Sequence, residues 1–239
     1  MSHASIPAVV LLSGGLDSTT LLHHVARDLR RAPVYALSVH YGQRHARELA
    51  CARAQAEAAG AAEHRIADLS GVAALVREGT ALVEGSGEVP DLDALTPEQR
   101  DQPPTYVPNR NMTLLAVAAA YAEAKGVQEL YYGAQAMDEY GYWDCTGPFV
   151  ERLNAVLALN RRQAVRVLAP FAALRKSEAL RIGLRLGVDY AQTWSCYRGG
   201  DAPCLTCPTC IERHNAFSEL GAIDPLVGPT RPGASQDAR

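Results

Sequence analysis

The run Leu12-Ser13-Gly14-Gly15-Leu16-Asp17-Ser18 constrains this chain more than any other stretch. Before it stands Ala8-Val9-Val10-Leu11-Leu12, whose unbroken hydrophobicity reads as a strand buried on both faces, as in a parallel sheet. After it, Thr19-Thr20-Leu21-Leu22 and an Ala/Arg/Leu stretch to about Arg30 read as a helix. A strand that turns through Ser-Gly-Gly into a helix makes an anion site. Gly14 and Gly15 lack Cβ, so the backbone can turn sharply and come close to a ligand. Ser13 and Ser18 add hydroxyls, and the helix start adds unpaired N–H groups and the positive end of the dipole. The natural guest is a phosphate or pyrophosphate, which makes Leu12, Ser13, Gly14, Gly15, Leu16, Asp17, Ser18 and Thr19 the candidate nucleotide-binding positions.

No Gly-Lys-Ser/Thr follows the glycines, so this is not a Walker-type loop, and it is not Gly-x-Gly-x-x-Gly. Ser-Gly-Gly-x-Asp-Ser after the first strand instead resembles the signature of the PP-loop ATP pyrophosphatases. That resemblance implies a loop that holds the β- and γ-phosphates of ATP while a substrate oxygen attacks the α-phosphate.

The pattern continues as α/β. Val34 to Val39 reads as a strand ending in Tyr41-Gly42-Gln43-Arg44, Ala46 to Ala59 as an Ala-rich helix stopped by Gly60, and His64 to Ala67 as a weak third strand. Strand–helix alternation predicts a doubly wound, mostly parallel sheet, with ligands at the carboxyl ends of its strands. Residues 69–107 break the rhythm with Gly, Pro and charge; they read as a substrate lid or dimer contact, or else as a disordered insertion.

Tyr106-Val107-Pro108-Asn109-Arg110-Asn111 leads into a helix over Met112 to Lys125, which Asn109 or Asn111 can cap. Capping does not explain Arg110, a cation where the helix dipole disfavours one; a bound phosphate or carboxylate would offset that. Glu129 to Gly133 reads as a strand feeding a turn with Asp138, Glu139 and Asp144 among Tyr140, Tyr142 and Trp143. Such carboxylates can hold Mg²⁺ against phosphates, and the aromatics can stack on a heterocycle. A helix over Phe149 to Arg162, a strand over Val165 to Leu168 and a helix from Lys176 to Leu186 complete the alternation. Lys176 faces the same carboxyl-end crevice, where it would neutralise a leaving pyrophosphate.

Cys196, Cys204, Cys207 and Cys210 have the spacing Cys-x7-Cys-x2-Cys-x2-Cys. Thiolates this close can close a tetrahedral zinc site; an iron–sulfur cluster is the second reading of the same spacing. A structural metal here would clamp the helix over Ile211 to Leu220 onto the α/β body. This gives three parts: a nucleotide-binding domain over 1–190, with the 69–107 insertion, a zinc-binding helical subdomain over 191–226, and a tail over 227–239 that reads as disordered.

Bulk properties narrow the function. The chain has 239 residues, 48% of them hydrophobic, enough for one sizeable core. Net charge is −3 with no long basic run, which argues against a nucleic-acid footprint. No apolar run nears the ~20 residues of a membrane helix and no secretory pattern opens the chain, so a cytoplasmic protein is expected. Six cysteines in a reducing compartment favour metal or catalysis over disulfides.

The order of these pieces is more specific than any one of them. Ser-Gly-Gly-x-Asp-Ser, Tyr41-Gly42-Gln43-Arg44, Val107-Pro108-x-Arg110-Asn111, Gly141-Tyr142-x-Asp144-Cys145, Lys176-x-Glu178 and the four-cysteine knuckle together resemble the 7-cyano-7-deazaguanine synthase family, over about residues 8–226. The resemblance implies conversion of 7-carboxy-7-deazaguanine to the nitrile with ammonia and ATP, a structural Zn²⁺, and a homodimer. On this reading Asp17, Lys176 and Asp138 are catalytic, with Mg²⁺ on Asp17 or Asp138. Tyr41, Gln43, Arg44, Arg110, Asn111, Tyr142 and Asp144 contact the substrate. The chain departs from the family at Asn109 and Leu205, where Gly is frequent, at Trp143, where Pro is, and at Thr146, where Arg is. The alternatives are another PP-loop ligase or thiolase acting on tRNA, and a non-catalytic zinc-knuckle binding module.

Overall fold

The computed structural model describes residues 5–44, 46–101, 103–135 and 142–228. Five parallel strands form one sheet in the order β3-β2-β1-β4-β5: β1 (Ala8–Leu11), β2 (Val34–His40), β3 (Glu63–Asp68), β4 (Glu129–Tyr131) and β5 (Arg166–Leu168). The helices are α1 (Leu16–His23), α2 (Ala46–Ala58), α3 (Gly71–Val76), α4 (Pro97–Asp101), α5 (Arg110–Ala124), α6 (Gly147–Leu157), α7 (Lys176–Arg185) and α8 (Pro208–Glu219).

The unbroken apolar run of β1 now has its reason. Val9 and Leu11 face a core with Leu115, Ala118 and Ala122 of α5 and Phe149 of α6. Ala8, Val10 and Leu12 face the opposite core with Leu21 and Leu22 of α1, Ala52 and Ala56 of α2 and Ala179 of α7. Both faces are covered, so no position of the strand is free to be polar. The doubly wound parallel sheet is therefore as the alternation predicts. β3 is longer than its polar sequence suggests and pairs with β2 along its whole length. It is an edge strand and half-exposed, which is why polar residues fit there.

Element ends differ from expectation for local reasons. α1 passes into a π-helical turn over His24–Asp28 instead of running on as α-helix. α6 stops at Leu157, and Asn160 Oδ1 turns the chain by accepting from the N–H groups of Arg162 and Gln163 (3.0 and 3.4 Å). Asn109 stands at the N-cap of α5 with φ 52° and makes no capping hydrogen bond. The cap comes from elsewhere: Asp144 Oδ2 accepts from the Asn111 N–H at 3.2 Å.

Segment 69–107 and the cysteine knuckle share a third core, in which Ala81, Leu82, Val89 and Val107 pack with Trp194, Cys196, Cys207 and Cys210. Arg198 fastens the two by donating to Val89 O (2.9 Å) and to Asp91 Oδ1 (2.8 Å). α8 starts inside the knuckle, with Cys207 as its N-cap residue and Cys210 in its first turn. Arg213 of α8 is buried with Asp224 (Nε–Oδ2 2.7 Å) and donates to Thr193 Oγ1 (2.8 Å) and Tyr190 O (3.0 Å), tying the helix to the body. Among the described residues, no helix is long and apolar enough to cross a membrane.

Candidate functional site

A cavity of about 250 Å³ opens at the carboxyl ends of β1, β2 and β4, where the strand order reverses direction. It brings together Leu12, Ser13, Gly15, Leu16, Asp17 and Ser18 of the first loop, Tyr41 and Gln43 after β2, Arg110 and Asn111 of α5, Tyr142, and Lys176 of α7. Residues more than 160 positions apart in sequence thus line one space. Gly14, Thr19, Arg44 and Asp144 do not line it. Asp138 lies outside the described residues.

The two loop glycines do different jobs. Gly14 has φ 90°, and a Cβ there would sit 2.2 Å from the carbonyl oxygen of Glu48 and 2.7 Å from the Ala52 nitrogen, both α2 backbone. Its missing side chain lets helix α2 close on the loop, a close approach to protein and not to ligand. Gly15 has an ordinary φ of −78° and meets only Ser13 Oγ and the Trp194 carbonyl, at 3.3 and 3.5 Å. It is Gly15 that borders the cavity. The serine hydroxyls bond each other (Oγ–Oγ 2.9 Å), and Ser18 Oγ accepts from the Ser13 N–H (3.1 Å), so both brace the turn.

Asp17 and Lys176 form the polar centre. Lys176 Nζ lies 3.6 Å from Asp17 Oδ2 and 2.7 Å from Glu212 Oε2. Among the described residues Asp17 Oδ1 is buried with no hydrogen-bond partner, an orphaned carboxylate oxygen suited to a cation or a ligand donor.

After β2, Gln43 is fully used: its Oε1 accepts from the Tyr41 N–H (2.8 Å) and its Nε2 donates to Val39 O (3.3 Å). Arg44 turns away and donates to Ser86 O at 2.5 Å and Val83 O at 3.3 Å, anchoring the 69–107 segment. Arg110 lies among Tyr41, Tyr132 and Tyr197, with its Nε donating to Asn111 Oδ1 (3.2 Å). Its place at the α5 N-terminus is offset by the Asp144 carboxylate that caps that turn. Tyr142 donates to or accepts from Thr105 Oγ1 (2.8 Å), and burial pushes its hydroxyl up to about 12.

Among the cavity residues that the sequence did not single out, two polar ones stand out. Glu48 of α2 lines the cavity, and desolvation raises its carboxyl to about 7, opposed by the charge of Arg110. Its sequence signal was only an acidic residue in a helical first turn. Gln135 lies in the turn after β4, and an uncharged amide among acids and aromatics drew no notice. The two departures Trp143 and Thr146 have structural roles. Trp143 Nε1 donates to Tyr106 Oη (3.0 Å), and Thr146 caps α6 by accepting from the Phe149 N–H (3.4 Å). Asn109 and Leu205, where the family pattern favours Gly, are left-handed at φ 52° and 65°.

The knuckle forms a second candidate site. The four cysteine sulfurs all lie within 4.8 Å of one another, and all four are free of disulfides. Tetrahedral thiolate coordination at ~2.3 Å sets sulfurs about 3.8 Å apart, so the set fits a metal with little contraction. Backbone N–H groups of Cys204 and Cys207 donate to Cys196 Sγ (3.4 Å) and Cys204 Sγ (3.3 Å), which favours thiolates. Hydrogen bonds from Cys207 and Cys210 draw the Cys196 thiol well below its usual range.

The profile of queuosine biosynthesis protein QueC matches residues 7–221. The 7-cyano-7-deazaguanine synthase of Caldicellulosiruptor saccharolyticus is 44% identical over 219 residues, covering 92% of this chain and 94% of that protein. Those of Archaeoglobus fulgidus and Chromohalobacter salexigens are 44% and 42% identical, over 92% of this chain and 89% and 85% of theirs.

Proposed function

The chain belongs to the QueC family of queuosine biosynthesis proteins, and on that premise we propose that it is the enzyme that converts 7-carboxy-7-deazaguanine and ammonia to 7-cyano-7-deazaguanine with ATP. The observation that carries this reading is the convergence of the Ser-Gly-Gly loop, Lys176 and Arg110 on one strand-end cavity. The loop and Lys176 suit a triphosphate; Arg110 suits a carboxylate.

A carboxylate is a poor electrophile and must be activated. Its oxygen attacks the α-phosphate of ATP, forming an acyl-adenylate and expelling pyrophosphate. Loop N–H groups and Lys176 stabilise the negative charge that builds on the leaving group. Ammonia attacks the acyl carbon, AMP leaves, and loss of a proton from nitrogen gives the amide. A second adenylation of the amide oxygen, with loss of AMP and two protons, gives the nitrile. Asp17, with its unpartnered Oδ1, is suited to hold Mg²⁺, as is Asp138; the ion supplies charge neutralisation between phosphates. The four cysteines would hold Zn²⁺ as a structural ion. Residues 1–190 act as the nucleotide-binding domain and 191–226 as the zinc-bound support. The enzyme is a cytoplasmic homodimer that needs no membrane and no nucleic acid.

Incubation with ATP, Mg²⁺, ammonium and 7-carboxy-7-deazaguanine, followed by mass spectrometry, tests the proposal. Nitrile formed at the expense of the acid supports it; no nitrile, with protein that is folded and metal-loaded, refutes it. Lys176→Ala is expected to lower the rate by roughly 10²–10³-fold while the metal stays bound.

A further inference from the structure

Three carboxamides line the cavity: Gln43, Asn111 and Gln135. The first two are committed. Gln43 bonds the backbone at both ends of its amide, and Asn111 accepts from Arg110 Nε and donates to Cys145 Sγ (3.4 Å). Gln135 is different. It is 4% exposed, yet among the described residues neither its Oε1 nor its Nε2 has a hydrogen-bond partner. A buried amide with both ends unsatisfied destabilises the protein that contains it. Such a group belongs to a site that a ligand completes.

The chemistry of the amide restricts the ligand. A phosphate or carboxylate only accepts, so it would satisfy Nε2 and leave Oε1 facing its lone pairs. Anion binding in this cavity already has Lys176, Arg110 and the loop N–H groups. An acceptor and a donor side by side in one plane match a ring edge that presents a donor and an acceptor side by side.

We infer that Gln135 reads the edge of a planar heterocycle in this cavity, pairing Oε1 with a ring or amino N–H and Nε2 with the adjacent ring nitrogen or carbonyl. Two rings of the proposed reaction offer that edge: the lactam of the deazaguanine acid and the amino-pyrimidine edge of the adenine of ATP. The inference rests on the proposed function, because it takes the cavity to hold those two molecules. Gln135 is then a specificity residue: by fixing one ring it fixes where that molecule's reacting group lies.

The test uses the full-length, metal-loaded protein and its Gln135→Leu and Gln135→Met variants, which keep the volume and remove the polar edge. Calorimetry measures the binding of ATP and, separately, of 7-carboxy-7-deazaguanine, and a thermal melt is taken without ligand. In both variants the affinity for one of the two ligands is expected to fall tenfold or more. The other is expected to stay within twofold. The ligand-free melting temperature is expected to hold or rise, since an unsatisfied buried amide has been removed. Wild-type affinity for both ligands in both variants overturns the assignment of Gln135 while leaving the proposed function standing. So does a lower melting temperature with both affinities lost, which makes the amide structural. Wild-type protein that binds neither ligand overturns the reading of the cavity, and Gln135's role with it.

Discussion

Replacing each loop glycine by alanine separates fold from function within one motif. At Gly14 the new Cβ would lie 2.2 Å from the Glu48 carbonyl oxygen and 2.7 Å from the Ala52 nitrogen, with φ at 90°. The left-handed backbone costs about 1–2 kcal/mol for a residue with a Cβ. Relieving the clash requires moving helix α2 by about 1 Å, since helix backbone cannot rotate aside as a side chain can; overpacking of this kind costs about 1–3 kcal/mol. The sum, about 2–5 kcal/mol, lowers the melting temperature by roughly 4–20 °C in a chain of this size. At Gly15 the φ of −78° suits alanine, and the nearest atom, at 3.3 Å, is the rotatable Ser13 hydroxyl. That change should cost below about 1 kcal/mol, but it puts a methyl group in the cavity wall where phosphate would approach. Circular-dichroism melts and ATP calorimetry on both variants read the two effects. Gly14→Ala is expected to melt low; Gly15→Ala is expected to melt near wild type and to bind ATP at least tenfold more weakly. Equal melting of Gly14→Ala and wild type, or a Gly15→Ala protein as unstable as Gly14→Ala, would refute the division of roles.

Four further outcomes are expected. Asp224→Asn strands the buried Arg213 guanidinium without its counter-charge and should destabilise by about 3 kcal/mol in urea melts; a loss below half a kcal/mol would contradict the buried pair. Glu48 is raised from 4.5 to about 7, so its contribution to stability is full below pH 4.5 and is lost as pH rises through 7. Glu48→Gln should therefore gain on wild type with rising pH, by about 3 kcal/mol at pH 8 relative to pH 4.5; a gap that does not change with pH argues against the shift. Cys207→Ser should lower bound metal by elemental analysis and lower the melting temperature together; unchanged metal content would refute the knuckle as a metal site. Leu205→Gly should raise stability by up to about 1 kcal/mol, because Leu205 is left-handed at φ 65°; a clear loss would show that its side-chain packing outweighs its backbone strain.

The sequence made legible whatever depends on neighbours along the chain. The apolar run of β1, the turn through Ser-Gly-Gly and the close spacing of the cysteines each have local causes, and each appears in the fold as read. What depends on distant packing was not legible. The cap of α5 is a carboxylate 33 residues away, so Asn109 and Asn111 looked like the natural caps. Gly14 serves the contact with α2, which no pattern around residue 14 announces. Glu48 and Gln135 join the cavity only because α2 and the end of β4 are brought beside the first loop. Arg44 sits in a motif that otherwise turns toward the cavity, yet its partners lie in the 69–107 segment. The left-handed backbone at Asn109 and Leu205 gives a physical reason for the glycine preference noted there.

Following the acid's own oxygen atoms tests activation at the α-phosphate most directly. The acid carries ¹⁸O in both carboxylate positions, and mass spectrometry reads the nucleotide products after turnover with ATP and ammonium. The account predicts two AMP per nitrile, each carrying one ¹⁸O on its phosphate, and unlabelled pyrophosphate. Label in inorganic phosphate with ADP as product, or AMP free of label while nitrile accumulates, would contradict it.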